Sequence, residues 1–188
     1  MNDAPPATTP RSLKRPVGCV DALSPYRTPA FDNAIDLWLD ANEGTEPVAA
    51  ITRALASVDL ASLARYAKPT QLEARLASRH GVTPDRVIVT NGGDDAIDRL
   101  CRAAIGPGRS AVIHDPTFEM IARGVALAGG ETRRVPWLEN DFPLAAFLDT
   151  IDSTTGMVAL VTPNNPTGLT VTPHAIAAVI ARAESDGA

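Results

Sequence analysis

The chain has 188 residues, of which 45% are hydrophobic but only 4% aromatic; that suffices for the core of one large domain, or of a domain with an appended arm, filled by Ala, Val, Ile and Leu as in a helix-covered parallel sheet. A net charge of -5 argues against a nucleic-acid partner, because phosphate backbones demand clustered Lys and Arg. Cys19 and Cys101 are too few and too far apart for a disulfide framework, and His80, His114 and His174 lack ligand spacing, so no metal is expected.

Residues 1–16 carry Pro5, Pro6, Pro10 and Pro16 among small polar residues, a composition that predicts a disordered tail; its basic cluster Arg11, Lys14 and Arg15 reads as a solvated run. This N-terminus lacks the apolar core of a secretory signal, and no apolar run in the chain is long enough to span a bilayer. A soluble protein of the reducing cytoplasm, without a membrane partner, is the expectation. Residues 17–46 read as an irregular arm punctuated by Pro25, Pro29 and Gly44, with an apolar patch at Ile35, Leu37, Trp38 and Leu39.

From Pro47 the pattern becomes regular and continues to residue 188, one domain in this reading. Pro47 suits a first helical turn, and Val48, Ile51, Ala54 and Leu55 recur at helical spacing. A second helix is predicted over 70–80, with Leu72, Leu76 and Ala77 inward and Gly81 as its stop. Strands and helices then alternate: strand 86–90, helix 93–105 with the stripe Ile97, Leu100, Cys101, Ala104 and Ile105, strand 110–114, helix 117–128, strand 131–135, helix 144–151, strand 157–162 and helix 172–184. Such alternation through short Gly/Pro turns predicts crossover units and a largely parallel sheet.

Four segments carry candidate chemistry. Thr90-Asn91-Gly92-Gly93-Asp94-Asp95 lies between a predicted strand and helix, where glycines admit close backbone approach and first-turn N–H groups favour an anion. No Lys follows the glycines, so this is no Walker loop, and Asp94 and Asp95 would repel a phosphate they faced; a contact would come from main-chain amides. The alternative is a tight turn with both aspartates complementing the helix dipole. In Asp115-Pro116-Thr117-Phe118 a ring held after a strand could stack on a flat heterocycle, or Phe118 is simply a buried first-turn residue. In Asn164-Asn165-Pro166-Thr167-Gly168 the Asn165 amide can donate to a phenolate-type oxygen; a turn capped by Thr172 explains Gly168 and Pro173 but leaves Asn165 without a task. Tyr66, in Arg65-Tyr66-Ala67-Lys68-Pro69, sits in a polar loop where a phenol is more often a packing residue.

Together these segments resemble, in order and spacing over residues 22–184, the pyridoxal-phosphate (PLP) aminotransferases of fold type I, and among them histidinol-phosphate aminotransferases. Ala22-Leu23-Ser24-Pro25-Tyr26-Arg27-Thr28-Pro29 is similar to that family's N-terminal arm, and Leu39-Asp40-Ala41-Asn42-Glu43 to its substrate loop. The resemblance implies the N-terminal part of a PLP-transferase (aspartate aminotransferase-like) large domain: α/β, mostly parallel, with flanking helices and an irregular arm. It implies PLP bound by Gly92, Gly93 and Asp94 at its phosphate, by Phe118 at its ring face and by Asn165 at its 3-hydroxyl. It further implies a homodimer, with Tyr66 reaching the partner's cofactor phosphate and Asn42 in the substrate wall. The reaction implied is amino transfer between an amino acid or amine, histidinol phosphate among the candidates, and a 2-oxo acid.

Two departures qualify that likeness. Gly44-Thr45-Glu46-Pro47 follows Asn42-Glu43 where the family places an aromatic hydroxyl, and Glu46 is a poor neighbour for a substrate phosphate. The family's Schiff-base lysine lies beyond its Asn-Pro-Thr-Gly turn, whereas the lysines here are Lys14 and Lys68, so no catalytic residue is assigned and the chain is read as an N-terminal half. Two rivals stand beside the transaminase: a PLP-dependent decarboxylase of a phosphorylated amino acid, and a non-catalytic remnant.

Overall fold

The computed structural model describes residues 18–25, 49–138 and 141–187. Among these, 18–24 and 90–187 form one compact unit, and Pro25 with 49–89 a second. The 1–16 tail, most of the arm and the Asn42 loop lie outside the described residues.

The second unit is helical. Its elements are α2 (Ala49–Ala56), α3 (Leu60–Leu63), α4 (Thr70–His80) and a 3-10 turn at Pro84–Arg86, after α1 (Gly18–Asp21) of the first unit. Asp59 caps α3 by accepting from the Ala61 N–H at 3.1 Å. α4 ends as predicted: Gly81 adopts φ 67°, and the Val82 N–H reaches back to the Ala77 carbonyl at 3.0 Å, closing the orphan carbonyls of the last turn. Ala77 is buried, but Leu72 is exposed rather than inward, and the α2 stripe residues Ile51 and Leu55 are exposed too.

The segment 86–90 is not a strand. Pro84–Arg86 is a 3-10 turn and Val87 is extended, yet no ladder partner lies beside it among the described residues; the Val89 N–H bonds instead to the Glu73 carboxylate at 3.1 Å. A local β-pattern does not make a strand without a neighbour to pair with.

In the first unit α5 (Gly93–Ala104), β1 (Ser110–Asp115), α6 (Glu119–Leu127), β2 (Glu131–Pro136), α7 (Leu144–Thr150), β3 (Thr155–Ala159) and α8 (Pro173–Asp186) follow the predicted order. The sheet is parallel with order β2-β1-β3. Central β1 is buried along Ser110 to His114, as both of its faces are covered. Alternation along the strand sends Ala111 toward Cys101 of α5, Ile105 just after it and Val125 of α6, and Val112 toward Phe147 of α7, Ile151 just after it and Val179 of α8. β3 begins two residues before the predicted strand and ends at Ala159, after which the chain leaves the β1 ladder.

β3 is also an edge. Beside it runs an apolar groove of 620 Å3, with Leu100, Met157, Leu160, Ile176 and Ile180 in its wall; this explains why Leu100, on the predicted stripe of α5, is 60% exposed. α8 is held at its start by Thr172, whose hydroxyl accepts from the Ala175 N–H at 3.2 Å. Thr172→Ala should therefore lower the unfolding free energy by about 1 kcal/mol, read as a shift in the urea midpoint at constant m; an unchanged midpoint would show that water caps the helix equally well.

Candidate active site at the carboxyl ends of the strands

α5 ends with the Ala104 carbonyl against Gly156 at the start of β3, so its N-terminus points toward the edge where β1 and β3 end, the edge at which open α/β proteins bind ligands. The three candidate segments of this unit stand at those ends.

At the first, Gly92 has φ 87°, a conformation that L side chains rarely adopt, and it precedes the twelve-residue α5. Within α5 the first backbone bond closed to the preceding loop is Ala96 N–H to the Gly92 carbonyl. The N–H groups of Gly93, Asp94 and Asp95 have no partner among the described residues, which suits them to an anion. Asp95 does not face that opening. Its carboxylate accepts from the Asn91 N–H at 2.9 Å and from Arg99 at 2.9 Å, and the Arg99 bond, with the Asn91 bond second, holds its pKa below the ordinary 3.8. One of the two charges that would repel a phosphate is thus tied down, while Asp94 is exposed.

At the second, Phe118 is neither helical nor fully buried. It is the residue before α6, with φ -59° and ψ 113°, half-buried, and it lines a 530 Å3 cavity together with Asp115, Thr117, Arg123 and Arg134. Arg134 and Asp115 pair across that cavity's wall at 2.6 Å. Gly93 and Asn165 are not among its lining residues.

The third segment meets the second directly. Asn164 is buried, with 3% exposure, and its amide donates to the Pro116 carbonyl at 2.9 Å and to the Thr167 hydroxyl at 2.8 Å, while its oxygen accepts from the Thr117 hydroxyl at 3.1 Å. The turn is closed by backbone bonds from Gly168 N–H to the Asn164 carbonyl (2.7 Å) and from Asn164 N–H to the Leu169 carbonyl (2.8 Å). Asn165, half-buried, makes no side-chain hydrogen bond among the described residues. The turn and cap do form, with Gly168 at φ 72° and Thr172 capping α8, and they leave the Asn165 amide free for a ligand. Sequence reasoning singled out Asn165 and passed over Asn164; the doubled amide at a strand end was the available signal.

His114, set aside as a metal ligand, is fully buried in β1, and its Nε2 accepts the Val161 N–H at 3.1 Å. It thereby holds the chain beyond β3 where the β1–β3 ladder has ended, leading it toward Asn164. In the second unit Tyr66 is 98% exposed, so it is not the packed phenol of the plainer reading, and Lys68 beside it is exposed as well. No group of three or more metal-ligating side chains occurs among the described residues, and no helix there is long and apolar enough to cross a membrane.

Comparison with known proteins places the chain in a family. The model of the class I and II aminotransferase family matches residues 34–188. Histidinol-phosphate aminotransferase 2 of Pseudomonas fluorescens is 34% identical over 163 residues, covering 79% of this chain and 44% of that protein. Histidinol-phosphate aminotransferase of Salmonella choleraesuis is 34% identical over 143 residues, covering 74% and 38%. Among solved structures, a tetra mutant of Thermus thermophilus aspartate aminotransferase superposes with TM-score 0.64 at 28% identity over 73% of this chain and 40% of that one. Sinorhizobium meliloti histidinol-phosphate aminotransferase, in complex with pyridoxal-5'-phosphate, gives TM-score 0.77 at 22% identity over 91% and 48%, a likeness of fold. The chain spans less than half the length of each of these relatives. By the family match over most of its residues, the chain belongs to the class I and II aminotransferases.

Proposed function

We propose that this chain provides the N-terminal share of a PLP site used for transamination between an amino acid or amine and a 2-oxo acid, histidinol phosphate being one candidate donor. The observation that carries the reading is the joining of the Phe118 and Asn165 turns at the carboxyl ends of adjacent strands through Asn164, in a chain of this family. The residues fit the cofactor: unpaired first-turn amides suit a phosphate dianion, Phe118 suits a ring face, and the unengaged Asn165 amide suits a phenolate oxygen.

In this reading Gly92 turns the backbone so that the Gly93 and Asp94 N–H groups converge on the phosphate. Phe118 excludes water from one face of the pyridine, and Asn165 donates to the 3-oxygen and favours its ionised form. Bound PLP supplies the electron sink and carries the amino group between donor and acceptor. Asn42 contributes to the substrate wall, and Tyr66 reaches a partner subunit's phosphate in a homodimer; its near-complete exposure supports that role. The groove beside β3 has the apolar character of a seat for a further strand of the same sheet, which the relatives' additional length can supply. Two free thiols, Cys19 and Cys101, suit a reducing cytoplasm.

Pyridoxamine 5'-phosphate is the probe of choice, because it lacks the aldehyde that reacts with any exposed amine. Calorimetric titration of the chain should show saturable binding that weakens about tenfold or more in Asn165→Ala, the loss expected for a hydrogen bond to a charged group. Absence of binding by the unaltered chain, or equal affinity in the variant, would overturn the assignment.

A further inference from the structure

Asn164 has no assigned part in the chemistry, yet its side chain makes three hydrogen bonds. Both of its amide hydrogens are used, one on the Pro116 carbonyl (2.9 Å) and one on the Thr167 hydroxyl (2.8 Å), and its oxygen takes the Thr117 hydroxyl (3.1 Å). An amide so engaged has one orientation only. Two of these partners belong to the turn after β1 and the third to the turn after β3, 47 and 48 residues apart in sequence from Asn164 in the first case and three in the second. With 3% exposure, water does not compete for the bonds, and a buried, satisfied network of this kind specifies a single arrangement.

The neighbours on the chain give that arrangement its meaning. Thr117 precedes Phe118, and Asn164 precedes Asn165, so the three bonds set the separation and relative orientation of a ring face and an amide donor that each look for a ligand. β1 and β3 cannot do this themselves, because their ladder ends at the Ile113–Ala159 pair. We propose that Asn164 is a positioning residue, which locks the turn bearing Phe118 to the turn bearing Asn165 so that the two contact one flat, phenol-bearing heterocycle together. The inference rests on the functional reading above and adds to it a residue that touches no ligand.

A positioning role makes a distinctive prediction. If Asn164 acts through Asn165 and Phe118, its loss should matter only while they are there to be positioned, which is a non-additive cycle. Pyridoxamine 5'-phosphate affinity, measured by calorimetry on the full chain, should fall about tenfold in Asn164→Ala and show little further loss when Asn164→Ala is added to an Asn165→Ala, Phe118→Ala background. Thr117→Val, which removes one of the three bonds and keeps the shape, provides the same test with less risk to folding; a several-fold loss in the parent and none in the double-variant background is expected. Inorganic phosphate affinity should be unchanged in Thr117→Val, since the α5 amides are untouched, whereas general unfolding would lower both. Additive losses, or parent-like affinity in both Asn164→Ala and Thr117→Val, would overturn the inference while leaving the functional reading in place if Asn165→Ala still weakens binding. No binding by the parent chain would overturn both.

Discussion

Phe147→Ala is expected to lower the unfolding free energy by about 3–5 kcal/mol. Phe147 is fully buried on α7 and belongs to the cluster formed with Val112 of β1, Val135 of β2, Ile151 at the end of α7 and Val179 of α8. Its ring also meets that of Phe142 at 5.2 Å. Alanine would leave a cavity touched by both strands and both helices of that layer, and rigid backbone on all sides limits how far it can collapse. Domains of this size are stable by about 5–15 kcal/mol, so the variant should be partly unfolded at modest urea concentration. The midpoint of urea unfolding, followed by circular dichroism, measures the effect. Leu138→Ala, at a residue 80% exposed, serves as the reference and should change the midpoint little. Equal behaviour of the two variants would mean that the α7 layer is not part of the cooperative core.

The contrast between those two leucine- and phenylalanine-bearing segments shows what the sequence could and could not disclose. Features set by near neighbours were legible: the helix over 70–80 with its Gly81 stop, the cap at Thr172, and the apolar run that became β1. The alternation of strand and helix gave the parallel sheet, although not its three-strand order. What depends on distant partners was not legible. The 86–90 segment has a strand's residues, but pairing is a property of two segments, and here Glu73 takes the Val89 N–H. The short helices α1 and α3, four residues each, are below the length at which periodicity speaks. A composition poor in rings suggested an aliphatic interior, whereas Trp137, Phe142 and Phe147 gather with His114 into a chain of ring contacts. At the site, the residues free to meet a ligand were visible because they lacked a structural task. Asn164 and His114 were not, because their tasks are hydrogen bonds to backbone groups 47 or 48 residues away.

His114 should make the chain less stable below neutral pH. The ring is fully buried, against Trp137 edge-on at 5.0 Å and Phe142 at 6.3 Å. Nε2 accepts the Val161 N–H, which assigns the proton of the neutral ring to Nδ1; that atom faces the Pro116 carbonyl without closing a hydrogen bond. Burial holds the pKa below the ordinary 6.5, against the opposing pull of the Pro116 carbonyl and of Asp115. The unfolded chain therefore takes up a proton at a pH where the folded chain does not. Stability from this group is complete above about pH 6.5 and declines as pH falls toward the folded-state value, by at most about 1.4 kcal/mol per pH unit for one proton. His114→Leu removes this titration but leaves the part-buried Val161 N–H without its acceptor, a loss of about 1 kcal/mol. The expected pair of results is a lower urea midpoint for the variant at pH 8 and a flatter decline of that midpoint between pH 7 and pH 5, read against the parent chain. Parallel pH profiles would show that His114 is protonated in the folded chain or that carboxylates alone set the acid limit. A lower midpoint with a flatter profile would also bear on the site, since Val161 lies three residues before Asn164 and a free Val161 N–H removes the anchor that His114 provides to that turn.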